Sequence, residues 1–401
     1  MSYEKPTTPI LRLLFVLVLL TGCTVKQTDN RKWYKGNLHT HSYWSDGDEY
    51  PEMIMDWYKS NEYNFIALSD HNILAEGTKW ITVRKSRIYE LGFEKYLEKF
   101  GKDWVTYKTD TGRIQVKLKT FKEYKPLFED DNFLILQSEE ISDRTLGKPI
   151  HMNVTNIQTL IPLLGGENVT EVMQRYVDAV LKQRKETGVP MFPHINHPNY
   201  FYAVTAQDII DLKGERFFEV YSGHPKVNNY GDSLHPGLEN MWDMINIAYH
   251  KKNQPFLYGL GTDDSHHYHL FGNSYSNAGR GWVMVLADSL SPGSLIKAME
   301  AGNFYATSGV IMEEVAVADK ALHIKVREEP GVNYEIQFIG ATAEAQHSRI
   351  LKTISGPEAS IELLPEFIFV RAKITSDKLK ENPFQEGDYE TAWTQPLSGK
   401  L

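Results

Sequence analysis

Residues 36–47 read GNLHTHSYWSDG. His39 and His41 stand one residue apart, and Asp46 follows in a turn. Imidazole and carboxylate are the side chains that bind divalent transition metals. On an extended segment, residues i and i+2 face the same side, so both rings can reach one ion. Similar groups recur along the chain: Asp70-His71 in SDHN, Glu139-Glu140, His151 opening HMNV, His194 and His197 in HINHP, and GTDDSHH at 261–267. A single histidine is ordinarily a surface or structural residue, and His250, His323 and His347 read that way. Histidines placed repeatedly beside Asp or Glu after apolar runs have no such explanation. So many ligands exceed the need of one ion, and two or three divalent ions (Zn, Mn or Fe) are expected. Clustered ions would lower the pKa of a water and clamp a substrate oxygen. No GxSxG motif or P-loop offers a different chemistry.

The elements that must position these residues are apolar runs alternating with helical patterns. Strands are expected at Asn64–Ser69, Phe133–Gln137, Pro190–Ile195, Phe217–Tyr221, Pro255–Gly259 and Trp282–Leu286. In 170–184, apolar pairs recur on one helical face, with Thr170 as N-cap, and 238–250 behaves alike. This alternation predicts an α/β fold with parallel strands and crossovers, closed or nearly closed into a barrel whose strand ends carry the ligands. Residues 72–132 break the rhythm with a charged helical stretch and a hairpin around Asp110-Thr111-Gly112; they read as an insertion forming a lid or pocket wall. From 312 to 401 the pattern turns to period-two alternation, as in Leu322, Ile324 and Val326, which predicts a small antiparallel β domain of sandwich type.

Of the 401 residues, 41% are hydrophobic and 24% charged, enough for a large buried core. The net charge of -9 argues against a nucleic-acid partner. One cysteine, Cys23, excludes an internal disulfide. It follows a basic start and the short apolar run LRLLFVLVLL, which together read as a signal peptide over 1–23. LTGC at 20–23 resembles a bacterial lipobox, implying lipidation at Cys23, a polar tether over 24–33, and an envelope location at the outer membrane.

HTH, SDG, SDHN, Glu140-Ile141-Ser142, His197-Pro198 and Asp264-Ser265-His266 occur in this order. Together they resemble the polymerase-and-histidinol-phosphatase (PHP) superfamily of metal-dependent hydrolases, over residues 34–311. The resemblance implies a distorted (β/α)7 barrel with up to three metals at its C-terminal face. It implies that His39, His41, Glu140 and Asp264 hold one ion. Glu140 would bridge to a second, completed by His151 and His197, while Asp46, His71 and His266 hold a third. His-Pro favours His197 over His194, which is left behind the ligands; Asp-x-His favours Asp264 over Asp263. Asp70 is expected to orient His71 or a water. Residues 279–309 and the ending ETAWTQPL look like secreted members related to carbaryl hydrolase, which cleaves a carbamate rather than a phosphoester. Asn199, Tyr221, His224 and Arg280 are candidate substrate contacts, Arg280 as partner of a phosphate or carboxylate; His235 is placed near the pocket.

The expected activity is hydrolysis of a small, anionic ester by a metal-activated hydroxide, phosphoester first. The alternatives are a carboxylester, carbamate or amide substrate on the same site, and a surface lipoprotein that binds metal or glycan without turnover. An Arg- or Lys-lined pocket would favour phosphate.

Overall fold

In a computed structural model, residues 1–4 and 30–400 are described; the expected signal peptide beyond residue 4, with the lipobox and Cys23, lies outside them. Residues from Arg31 onward form one compact unit. Among the described residues no helix is long and apolar enough to cross a membrane.

The unit is built on one mixed sheet. Its strands run in the order Tyr258–Thr262, Phe217–Ser222, Phe192–Ile195, Lys148–Thr155, Leu134–Thr145, Phe65–Leu68, Lys32–Asn37, Trp282–Ala287 and Phe304–Thr307. The sheet then continues through Tyr389–Thr394, Phe367–Leu379, Tyr334–Thr342 and Arg349–Ser355. Pairings are parallel around Phe65–Leu68 and again around Phe217–Ser222. They are antiparallel where Lys148–Thr155 pairs with both its neighbours and where Trp282–Ala287 pairs with both of its own. Both depart from the expected parallel order, and around Lys148–Thr155 the cause is local. Leu146 and Gly147 both have positive φ (51° and 78°), the backbone of a two-residue hairpin turn, so the chain folds straight back. His151 and Glu140 therefore sit inside long strands rather than at strand ends. The strand expected at Pro255–Gly259 lies three residues later, which puts Asp263 and Asp264 directly after it.

Hydrogen bonding leaves the ladder open between Tyr258–Thr262 and Trp282–Ala287. The two backbones nevertheless abut. A Cβ on Gly261 would lie 2.9 Å from the Trp282 carbonyl oxygen, and one on Gly281 would lie 2.6 Å from that of Thr262. Glycine is what allows the approach.

Helices cover the sheet. Val169–Thr187 buries Val172, Met173, Tyr176, Val177 and Val180 and begins at Asn168, whose side chain accepts from Glu171 N at 2.9 Å. The cap is thus Asn168 rather than Thr170, whose hydroxyl bonds Asp208. Leu238–Lys251 packs Met241, Trp242 and Ile245 into the same core.

The 72–132 segment holds helices Arg87–Phe100 and Phe121–Phe128 and a three-stranded sheet that includes the hairpin at Thr111-Gly112. Its core packs Phe93, Tyr96, Val116 and Leu118 against Trp44 and Tyr50. Trp44 Nε1 also donates to the Lys119 carbonyl at 3.0 Å, and Lys79 Nζ to that of Trp44. The segment thereby buttresses the turn that carries Asp46.

Beyond residue 311, Met312–Ala318, Ala321–Val326 and Glu358–Glu362 make a separate small sheet. The other late strands extend the main sheet through Tyr389–Thr394 beside Phe304–Thr307. One hydrophobic core spans both regions, from Ile54, Tyr58 and Ile66 to Phe338, Val370 and Ile374. A buried fork joins them as well: Arg371 bonds Asp243 through Nε at 2.8 Å and Nη2 at 2.9 Å.

Candidate metal centre

His39 and His41 lie just past strand Lys32–Asn37, in extended chain tied to the opposite segment by His41 N to Ser265 O (2.9 Å) and Asp264 N to His39 O (3.1 Å). Their Nε2 atoms converge at 3.1 Å. Two carboxylates face them. Glu140 Oε2 is 3.3 Å from His39 Nε2, 3.1 Å from His41 Nε2 and 2.9 Å from His71 Nδ1. Asp264 Oδ1 is 3.3 Å from each of His39 Nε2 and His41 Nε2, and 3.4 Å from His266 Nδ1. The other Glu140 oxygen faces His151 Nδ1 at 3.1 Å and His197 Nε2 at 3.5 Å. Asp46 Oδ1 closes a further corner, 3.3 Å from His266 Nε2 and 3.5 Å from His71 Nε2.

All nine residues that the family resemblance implied as ligands thus meet in one place. The convergent groups are His41, Asp46, His71 and His266; His39, Glu140 and His197; His39, His41 and Asp264; His71, Glu140 and His151; and, behind these, His39, His194 and Glu219. They overlap rather than partition: His41 also joins the Asp46 group, and His71 also meets Glu140.

The donor set fits divalent cations. A metal–ligand bond of about 2.0–2.1 Å places neighbouring ligand atoms roughly 2.9–3.4 Å apart around an octahedral or tetrahedral ion, the spacing seen here. Glu140 Oε2 is fully buried and among the described residues has no hydrogen-bond partner, although three ring nitrogens surround it. Without cations the histidines must supply the positive charge. Burial opposes charge on His39, but Asp264, Glu140 and Glu219 outweigh it and raise its pKa well above the ordinary range. Burial likewise opposes charge on His71, yet Glu140 and Asp46 push it up to about 11. Burial would raise Glu140, but His71, His39 and His151 hold it well below the usual carboxylate range. Cations bound among these groups would take over the countercharge from protonated imidazoles.

Several other expected site residues have different surroundings. Among the described residues, the Asp70 side chain makes no hydrogen bond to His71. Its carboxylate accepts from Ser42 N (2.9 Å), Ser42 Oγ (2.7 Å) and Ser45 Oγ (2.6 Å), so it fastens the turn leading to Asp46. Arg280 does not face the cluster: its guanidinium donates to the carbonyls of Gly223, Gly272 and Asn382, at 2.8–3.0 Å, and to that of Tyr275. A planar cation with five donors is well matched to gathering loop carbonyls, and here it is used up on them. Tyr221 is buried against Trp393, Asn199 ties Asn228 and Pro236, and His235 pairs with Asp232. His194 is fully buried, among the described residues both ring nitrogens lack hydrogen-bond partners, and its nearest carboxylate there is Glu219 Oε1 at 3.6 Å. Asp263 accepts from the main-chain nitrogens of Gly279, Arg280 and Gly281, which leaves Asp264 to the cluster. His224 stands at the rim, its ring 5.7 Å from that of His266.

Sequence reasoning passed over Glu219 and Asn196. Glu219, wholly buried in strand Phe217–Ser222, accepts from His39 Nδ1 at 2.6 Å and from His197 N at 2.9 Å. Burial resists its charge, but the neighbouring His39 holds it down to about 2. Asn196 donates to Glu140 Oε1 at 2.7 Å. A glutamate inside the apolar run FFEVY was the available signal, since a buried charge needs partners.

No family model matches this chain, and no curated protein does. Among solved structures, similarity is found to a two-domain protein from Bacteroides vulgatus containing a predicted PHP-like metal-dependent phosphoesterase: 14% identity, 92% of this chain and 96% of that one covered, TM-score 0.41. A putative metal-dependent phosphoesterase from Bifidobacterium adolescentis is similar at 11% identity, over 61% and 90% of the two chains, TM-score 0.29. An amidohydrolase from Chromobacterium violaceum, with bound sulfate and no metal, is similar at 14% identity, over 60% and 90%, TM-score 0.29. At that distance the chemistry has to be read from this chain's own residues, and they form a clustered His/Asp/Glu centre able to hold divalent metal ions.

Proposed function

We propose that this chain is a metal-dependent hydrolase of PHP type, with its site at the Glu140–Asp264 centre. The observation that carries the reading is Glu140: one buried carboxylate whose two oxygens face five imidazoles. Divalent ions bound there would supply Lewis acidity and make a water acidic enough to attack near neutral pH. The chain's part is to hold two or three such ions close together, with Glu140 and Asp264 placed between neighbouring histidine groups. Asp46, 59% exposed at its side chain, and His71, 24% exposed, form the open edge through which substrate reaches the centre. The barrel reading of the fold belongs to the same proposal.

An ester of phosphoric acid is the first substrate class. The carboxylester, carbamate or amide reading is kept because a specific observation favours it. The one arginine expected at the pocket is turned onto main-chain carbonyls, and among the described residues the ion-pair partners of Asp46, Glu140 and Asp264 are all histidines. Positive charge for a phosphate would then come from the ions alone. Protein purified without chelator and analysed for metal should carry two or three ions per chain. It should turn over one class in a panel of phosphomonoesters, phosphodiesters, aryl esters and aryl carbamates. Full occupancy with no turnover would leave the metal-binding, non-catalytic alternative.

We also propose that the mature chain is anchored to the bacterial envelope through lipid on Cys23, on the strength of LTGC after an apolar run. Cys23→Ala should release the protein from the membrane fraction or block its processing. Unchanged fractionation and gel mobility would refute the anchor.

A further inference from the structure

His224 lies two residues beyond strand Phe217–Ser222, in a loop fastened from behind. Gly223 N donates to Thr262 O at 2.9 Å, and Arg280 Nη1 donates to Gly223 O at 3.0 Å. A Cβ on Gly223 would stand 2.7 Å from Arg280 Cβ and 2.8 Å from the Asp263 carbonyl oxygen, so the loop is seated through a glycine. The ring it presents lies beside the centre. Its centroid is 5.7 Å from that of His266 and 5.8 Å from that of Tyr200, in both cases edge to face. Tyr200 in turn stands 5.2 Å from the ring of His197. The two side chains form a wall along one flank of the ligand cluster.

The proton on His224 is placed by a neighbour with no choice. The main-chain N–H of Lys226 points at His224 Nδ1, 3.1 Å away. A peptide nitrogen can only donate, so Nδ1 must present its lone pair, and the neutral ring carries its hydrogen on Nε2. Among the described residues no protein group pairs with that Nε2. Nor does His224 belong to any of the groups of convergent ligand atoms. A neutral ring with hydrogen on the free nitrogen is a donor, whereas metal ligation through that nitrogen would require the lone pair.

Resting on the hydrolase reading above, we propose that His224 is a catalytic residue that touches substrate: its Nε2–H donates to the oxygen that gains negative charge when the phosphoryl or acyl centre is attacked. Tyr200 walls the same flank. The bond is a hydrogen bond only, and no proton changes hands. Such a donor serves a carbonyl oxygen and a phosphoryl oxygen alike, because what it reads is developing negative charge at a fixed place.

The test uses the metal-loaded full chain as wild type, His224→Ala and His224→Gln. Metal content is measured first, then turnover of the best substrate from the panel, then calorimetric binding of inorganic phosphate. Removing one such donor should lower kcat by about 10²–10³-fold, with metal content unchanged. The Gln amide, which can place an N–H near the same point, should restore at least about tenfold of the loss. The proposal is overturned if His224→Ala loses metal, which would make His224 a ligand. It is also overturned if His224→Ala keeps its kcat, or if Gln is as impaired as Ala. Should the wild type hydrolyse nothing, the hydrolase reading fails on its own account and phosphate binding decides. A roughly tenfold weaker affinity in His224→Ala would retain the contact, whereas equal binding, or none by the wild type, would remove it.

Discussion

Glu219→Gln probes how the metal centre is held rather than what it does. The carboxylate accepts from two donors at once, His39 Nδ1 at 2.6 Å and the main-chain nitrogen of His197 at 2.9 Å. The first bond fixes the His39 tautomer, leaving Nε2 free to face Glu140 and Asp264. The second holds the backbone of His197, whose φ of 22° is unusual for a side-chain-bearing residue. Glutamine keeps the shape but has one acceptor oxygen, so its amide N–H₂ must confront one of the two donors. Losing one charge-assisted bond in a buried site costs about 1.5–3 kcal/mol. At roughly 1.4 kcal/mol per decade this is a 10- to 150-fold loss of metal affinity, the range typical for partners behind a ligand. The assay strips the protein with chelator and titrates Zn or Mn back in competition with a fluorescent indicator. Thermal unfolding is followed with and without metal. The variant should unfold at a somewhat lower temperature than wild type when metal-free, and should also gain less from added metal. Affinity within about twofold of wild type at every site would refute the reasoning. So would a large loss of metal-free stability with unchanged affinity, since Glu219 would then be acting only on the fold.

Two further outcomes are expected. Glu140→Gln should lower metal occupancy and cut turnover by at least about a hundredfold. Glu139→Gln is its control, because Glu139 points away and accepts from Ile161 N at 3.0 Å; a larger effect from Glu139 would refute the assignment. Glu215 provides a pH test away from the centre. It is fully buried and accepts from the main-chain nitrogens of Arg216 and Phe217, and burial pushes its pKa up to about 8 against 4.5 for the free side chain. Between those two values the folded chain keeps a proton that the unfolded chain releases, so stability falls as pH rises. Relative to wild type, Glu215→Gln should gain stability across that window by up to about 1.4 kcal/mol per pH unit. Urea unfolding at pH 5, 6.5 and 8 measures it, and a difference that does not change with pH would contradict the burial argument.

Much of this centre was legible in the sequence because its chemistry is local. SDHN and DDSHH place histidines beside carboxylates, HTH and HINHP place two histidines within three residues of each other, and residue type with short spacing is all that metal ligation needs to be suspected. Alternation of period two beyond residue 312 and the helical face of 170–184 were legible for the same reason: they are patterns within one element. What pairs with what was not. The Leu146-Gly147 turn folds its strand back, making the neighbouring pairings antiparallel and moving His151 and Glu140 to mid-strand. The roles of three charged residues also depended on distant partners. Asp70 serves the Ser42–Ser45 turn, Arg280 gathers carbonyls from loops as far apart as Gly223 and Asn382, and Glu219 reaches back across 180 residues of chain to His39. A sequence shows which side chains can bind a proton or an ion. Only the tertiary structure decides which buried donor stands opposite which acceptor, because a buried charge takes whatever partner the packing brings within about 3 Å.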